Sequence, residues 1–147
     1  MEMKLNELLA AVSVKSVVGP APEAVDIADV INDSRKAAPG VLFVAVRGVA
    51  VDSHKFIPDV VAAGAAAVVC EQLPADTDPS VAYVVVPDST IALAHLASQW
   101  YGRPSEHLQL VGVTGTNGKT TTATLLYEMA RLMGYKAGLL STVKNVV

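Results

Sequence analysis

"VTGTNGKTTT", residues 113–122, places small, hydrogen-bonding side chains between an apolar run, "LQLVGV" (108–113), and an amphipathic one, "ATLLYEMARLM" (123–133). This order predicts a strand, a loop and a helix. A loop entering a helix offers unpaired backbone N–H groups and the positive end of the helix dipole, which together suit an anion. Gly115 and Gly118 let the backbone curl and approach that anion where a Cβ would obstruct. Lys119 then adds a charge that reaches outer phosphates, and the Thr120 hydroxyl suits a magnesium ion. The strict phosphate-loop spacing asks for glycine at 113, where this chain has Val113, with Gly112 one place early. A plain glycine turn would explain Gly115 and Gly118, but not the Lys-Thr pair that follows them.

Working outward, "KAGLLST" (136–142) reads as a further strand, and Gly134 as the C-cap glycine of the helix before it. Upstream, Leu5, Leu8, Leu9 and Val12 recur at helical spacing. "VDIADVINDSR" (25–35) is extended and ends in a polar cluster. After a Pro39–Gly40 turn, "VLFVAV" (41–46) is one buried strand, and "FIPDVVAAGA" (56–65) a helix closed near Gly64. "AAVVCE" (66–71) and "AYVVVP" (82–87) are the next β runs. Asp88 or Ser89 can cap the helix "TIALAHLASQWYG" (90–102), with Leu93, Leu96, Ala97 and Trp100 on one face. Strands alternating with helices predict an α/β fold. The polar, proline-bearing "RPSEH" (103–107) predicts a boundary, giving a domain over 1–107 and the start of a second over 108–147.

Composition narrows the function classes. Apolar residues make up 52% of the 147 and charged residues 17%, which provides for a core and argues against disorder. Net charge is -3 with no Lys/Arg block, so no nucleic-acid partner is indicated. The longest apolar stretch, 62–70, falls far short of the ~20 residues that span a bilayer, so no membrane partner is expected. The start, "MEMKLNELLA", carries Glu2 and Glu7 and is unlike a secretory signal. Cys70, the single cysteine, reads as a buried thiol. A cytoplasmic protein is the simplest reading.

The loop "TGTNGKTTT" (114–122) resembles the nucleotide loop of the Mur ligases, which build the peptide stem of bacterial peptidoglycan. The upstream stretch "DSRKAAPGVLFVAVRGVAVDSHKFIPDVVAAGAAAVV" (33–69) is similar to their N-terminal domain. Its marks are the Asp-Ser-Arg triplet, the Pro-Gly turn, the "LFVA" strand, the Arg-Gly loop, the Asp-x-His element and the Ala/Val run. Within the family, "DSR" and "STVKN" (141–145) are most similar to the ligases that add the third residue of the stem, meso-diaminopimelate or lysine. The ligases of the following step usually carry threonine in that triplet. Folylpolyglutamate synthetases share a "GTNGK" loop but typically continue with Gly-Ser and lack this N-terminal domain.

The resemblance implies a two-domain arrangement: a UDP-sugar-binding N-terminal domain over 1–107, then the first β-loop-α-β unit of a P-loop ATPase domain. It implies ATP and Mg2+ as cofactors, and a UDP-N-acetylmuramoyl dipeptide and a diamino acid as substrates. Gly115, Thr116, Asn117, Gly118, Lys119, Thr120 and Thr121 would hold the ATP phosphates. Lys119 would stabilise transferring charge, and Thr120 would ligate magnesium. Asn32 (through its backbone), Ser34 and the loop Val49-Ala50-Val51 would contact the uracil-ribose end of the UDP-sugar. Two readings stand for Arg35, a bidentate contact to the diphosphate or a surface ion pair, the second preferred. His54 reads as a histidine held by hydrogen bonds within its loop, His95 as structural and His107 as a linker residue. None of the three has metal-ligand spacing. The resemblance further implies that the family's remaining catalytic parts follow the P-loop unit, so the chain reads as a fragment ending inside its second domain. A lone β-loop-α-β unit would leave an edge or a face uncovered, with packing on the first domain, self-association or a disordered tail as outcomes. A non-catalytic nucleotide-binding module, and a small interaction domain with an idle glycine loop, are the competing readings.

Overall fold

The computed structural model describes residues 2–48 and 51–146, which divide into two compact units, Met1–His107 and Leu108–Val147. In the first unit, a short strand β1 (Met3–Lys4) runs into helix α1 (Leu5–Leu9), followed by β2 (Ser16–Val18), β3 (Asp26–Ile27), β4 (Asp29–Ile31), β5 (Val41–Val44), helix α2 (Ile57–Ala62), β6 (Ala67–Cys70), β7 (Ala82–Val85), helix α3 (Ser89–Trp100) and a single helical turn α4 (Pro104–His107). The main sheet has the order β2-β7-β6-β5-β4. Strands β4 to β7 are parallel, β2 lies antiparallel on β7, and β1 pairs with β3 in a separate two-stranded ladder.

The apolar runs became central strands because parallel strands are covered on both faces. All four residues of β5 and of β6 are buried. Alternation then divides them. Leu42, Val44, Ala67, Val69, Ala82 and Val84 form one cluster with Leu5 and Leu8 of α1 and Ala92, Leu96 and Trp100 of α3. Phe43, Val68, Cys70 and Tyr83 form the other with Ile57 and Val60 of α2. Full burial of each large side chain contributes about 1.5–3 kcal/mol. Burial also pushes the Cys70 thiol up to about 11, so it is an inert packing group.

Element ends follow local chemistry. The Asp88 carboxylate accepts from the amides of Thr90 (2.8 Å) and Ile91 (2.9 Å), capping α3. At the other end Gly102 sits at φ 73°, its amide donating to the Gln99 carbonyl while the Arg103 amide reaches Ser98. That is a Schellman stop. It leads directly into α4, so the polar segment expected to mark a boundary takes the form of a helical turn. Gly19 (φ 100°) closes β2 onto β7, and a Cβ there would lie 2.3 Å from the Val81 carbonyl oxygen. Only glycine fits.

The second unit consists of helix α5 (Lys119–Leu132) and a hairpin of β8 (Leu139–Leu140) and β9 (Asn145–Val146). Gly134 (φ 85°) ends α5 as the sequence predicts, with Tyr135 donating to the Ala130 carbonyl. Two strand expectations are corrected. Residues 108–114 form no strand, because no described strand offers them backbone partners, and Leu110 and Val111 stay 72% and 77% exposed. The "KAGLLST" run shortens to β8 and pairs antiparallel with β9. The Ser141 hydroxyl closes that turn by donating to the Lys144 carbonyl (2.8 Å) and accepting from the Lys144 amide (2.9 Å). Tyr127 is the one buried side chain of α5, while Leu125, Met129 and Leu132 are exposed. No helix of the described residues is long and apolar enough to cross a membrane.

Candidate functional site

In the second unit, the turn before α5 has the shape its residues demand. Gly115 lies at φ 146° and Gly118 at φ 77°, both in the left-handed region. A Cβ at Gly118 would meet nothing within 4 Å, so backbone conformation rather than crowding selects glycine there. Gly118 is the N-cap of α5 and supplies no side chain to its amides. Its carbonyl accepts from the Thr122 amide at 2.9 Å. The amides of Lys119, Thr120 and Thr121 therefore head the helix with no side-chain cap, at the positive end of its dipole. The Lys119 ammonium folds back over the turn and donates to the Gly115 carbonyl. Thr116, Asn117 and Thr121 are exposed, and Thr120 is half-buried. The Thr124 hydroxyl donates to the Thr120 carbonyl (2.7 Å), tying down the first turn. Glycine bend, uncapped amides and adjacent ammonium are together features that suit an anion.

The donor chemistry at this turn suits a magnesium ion only with help from outside the protein. Among the described residues no cluster of three His, Cys, Asp or Glu side chains could hold a metal by itself. Mg2+ characteristically takes one or two protein oxygens and completes its shell with phosphate and water. The hydroxyl of Thr120, on the second residue of α5, supplies the right donor type.

In the first unit, the carboxyl ends of the parallel strands bring a second set of residues to one edge, where ligands of open α/β sheets bind. Beyond β4, Asn32 is exposed and Ser34 half-buried, opening a 3-10 turn (Ser34–Lys36). Asp33 caps that turn from the Arg35 amide (3.1 Å) and pairs with the Arg35 guanidinium at 2.7 Å. The side-chain hydrogen bond from Arg35 holds the Asp33 carboxyl down at about 2. Arg35 is thus an ion-pair partner. Beyond β5, Arg47 bridges antiparallel to Asp52, the Gly48 amide donates to the Val51 carbonyl (3.0 Å), and the Ser53 amide to the Val46 carbonyl (3.0 Å). Val51 is exposed; Val49 and Ala50, named with it from sequence, lie outside the described residues. Because β4 and β5 are adjacent and parallel, Asn32, Ser34 and Val51 follow neighbouring strand ends.

The same edge carries a network that sequence reasoning missed. The Glu71 carboxylate, directly after β6, accepts from the Ser89 hydroxyl (2.8 Å) and amide (3.1 Å) and lies 3.8 Å from Arg47. Hydrogen bonds from Ser89 lower the Glu71 carboxyl against its burial. Arg47 also reaches Asp52 at 3.5 Å, and His54 joins Asp52 at 2.6 Å. Ser89 is fully buried. The available signal was a lone carboxylate at the end of an apolar run, "AVVCE". His95, read as structural, is exposed on α3, and His107 ends α4.

Two family models match the chain: the Mur ligase family, catalytic domain, over residues 26–101, and the Mur ligase middle domain, over residues 113–147. The chain belongs to the Mur ligase family. It is 51% identical over 145 residues to a UDP-N-acetylmuramoyl-L-alanyl-D-glutamate--2,6-diaminopimelate ligase of Parabacteroides distasonis, covering 99% of this chain and 29% of that protein. Among solved structures it is similar to MurF from Acinetobacter baumannii, with TM-score 0.66 and 26% identity over 90% of this chain and 28% of the other. It is also similar to MurF ligase from Thermotoga maritima in complex with ADP, with TM-score 0.52 and 32% identity over 71% of this chain and 23% of the other. The chain therefore spans less than a third of the length of these Mur ligases. The carboxyl-end network lies within the first matched region, and the 115–121 turn within the second.

Proposed function

We propose that this sequence serves an ATP-dependent ligase that joins 2,6-diaminopimelate to UDP-N-acetylmuramoyl-L-alanyl-D-glutamate in the cytoplasm. Residues 1–107 would receive the uridine end of the nucleotide sugar, and residues 108–147 would begin the ATP-binding domain. The observation that carries the reading is the turn at 115–119, left-handed at both glycines, with uncapped helix amides and the Lys119 ammonium beside them. The choice of step rests on the Parabacteroides relative's name and its 51% identity.

The γ-phosphoryl group of ATP passes to the glutamate side-chain carboxylate, giving an acyl phosphate and ADP. The diaminopimelate amine then attacks the acyl carbon, the C–O bond to phosphate breaks, and an amide, inorganic phosphate and a proton result. In that sequence the amides of residues 115–121 hold the β- and γ-phosphates, and Lys119 balances charge building on the transferring group. The Thr120 hydroxyl would hold a magnesium ion, whose charge would offset that of the phosphates. Asn32, Ser34 and the segment Val49-Ala50-Val51 would orient the uridine. A lysine in place of diaminopimelate is the alternative co-substrate.

Calorimetry with UDP-N-acetylmuramoyl-L-alanyl-D-glutamate and with magnesium-ATP tests the reading on this chain. Saturable binding of the nucleotide sugar is the expected result. A folded chain that binds neither ligand would instead be a small interaction domain with an idle loop.

A further inference from the structure

We infer that His54 is a positioning residue that fixes the Arg47–Asp52 ladder against the carboxyl end of β6, and so pre-shapes the surface meant for uridine; this last step rests on the function proposed above. Hydrogen-bond direction fixes the tautomer. The Glu71 amide can only donate, and it donates to His54 Nε2 at 2.9 Å. That nitrogen must therefore carry the lone pair, and the ring proton sits on Nδ1, 2.6 Å from Asp52 Oδ1. Both ring nitrogens of the imidazole are engaged, so His54 is neither a free base nor a ligand donor here.

Asp52 connects this ring to the ladder. Its carboxylate caps the following 3-10 turn (Ser53–Phe56) through the His54 amide (3.0 Å), and its backbone bridges to Arg47. Hydrogen bonds from the His54 amide and ring hold the Asp52 carboxyl below its usual range. On the far side, Glu71 is locked to Ser89 at the start of α3. A single ring therefore couples a solvent-facing turn to the end of β6, and through Glu71 to the buried Ser89. With only 16% of its side chain exposed, His54 bonds in a partly dry setting where each contact holds well. Arg47, half-exposed at 3.5–3.8 Å from Asp52 and Glu71, adds weaker support.

The test reads the ring and the ladder directly. Nitrogen-15 NMR of the imidazole is expected to show the neutral Nδ1–H tautomer, and an Nε2–H tautomer would overturn the inference. In His54→Ala, amide hydrogen exchange at Gly48, Ser53 and Glu71 should accelerate about tenfold while the strand amides of β5 and β6 keep their rates. Wild-type exchange at Gly48 and Ser53 would overturn it. Should the alanine variant fail to fold, His54→Met fills the site with only a weak thioether acceptor and no donor for Asp52, and should likewise speed exchange at Gly48 and Ser53. A parallel titration with UDP should show affinity for the ladder-loosened variants about tenfold weaker than wild type. Unchanged UDP affinity alongside faster exchange would overturn the pre-shaping role. If wild type itself fails to bind UDP, the proposed function falls, while the tautomer and exchange results still decide the role of His54.

Discussion

Asp33 and Arg35 show how much one residue's neighbours decide. The sequence offered Arg35 either to a diphosphate or to a surface ion pair, and the 2.7 Å pair with Asp33 selects the second. The carboxyl sits at about 2 instead of 3.8, so its stabilising contribution is complete above the unfolded value and is lost as pH falls from about 4 to about 2. Asp33→Asn should therefore melt lower than wild type at pH 7, with the gap narrowing below pH 4 and closing near pH 2. Parallel melting curves across that range check it, and a gap of constant size would contradict it. At this scale the legible residues were those whose type alone constrains the backbone: Gly118, Gly134 and Asp88. Glu71 and Ser89 were illegible because their meaning is a contact across 18 positions of sequence, which no local pattern encodes.

At the scale of elements, the apolar runs predicted β5, β6 and β7 because a strand covered on both faces needs an unbroken apolar sequence. Phe43 of β5, fully buried against α2, measures that covering. Phe43→Ala should cost roughly 3–5 kcal/mol. Urea unfolding read by circular dichroism checks this, and a loss below about 1 kcal/mol would mean the α2 face is loosely packed. The failure at 108–114 has the same physics in reverse. "LQLVGV" has a strand's composition, but a strand exists only with a backbone partner, and the described strands give it none. The hairpin of β8 and β9 was missed because Ser141 sets its turn through hydrogen bonds that the apolar pattern does not reveal.

Across the molecule, the two units present two different chemistries. The first gathers polar side chains at the carboxyl edge of a parallel sheet, and the second presents bare amides at the mouth of a helix. Both belong to one family, yet the claim that gives the chain its chemistry is that the 115–119 turn receives phosphate. Magnesium-ATP titrated into nitrogen-15-labelled chain, with the Lys119→Ala variant beside it, tests that claim most directly. The amide resonances of Gly118, Lys119, Thr120 and Thr121 should shift saturably in wild type, and the apparent affinity should fall at least about tenfold in the variant. Those resonances staying fixed at high magnesium-ATP while the folded spectrum persists, or wild type and variant titrating alike, would contradict it.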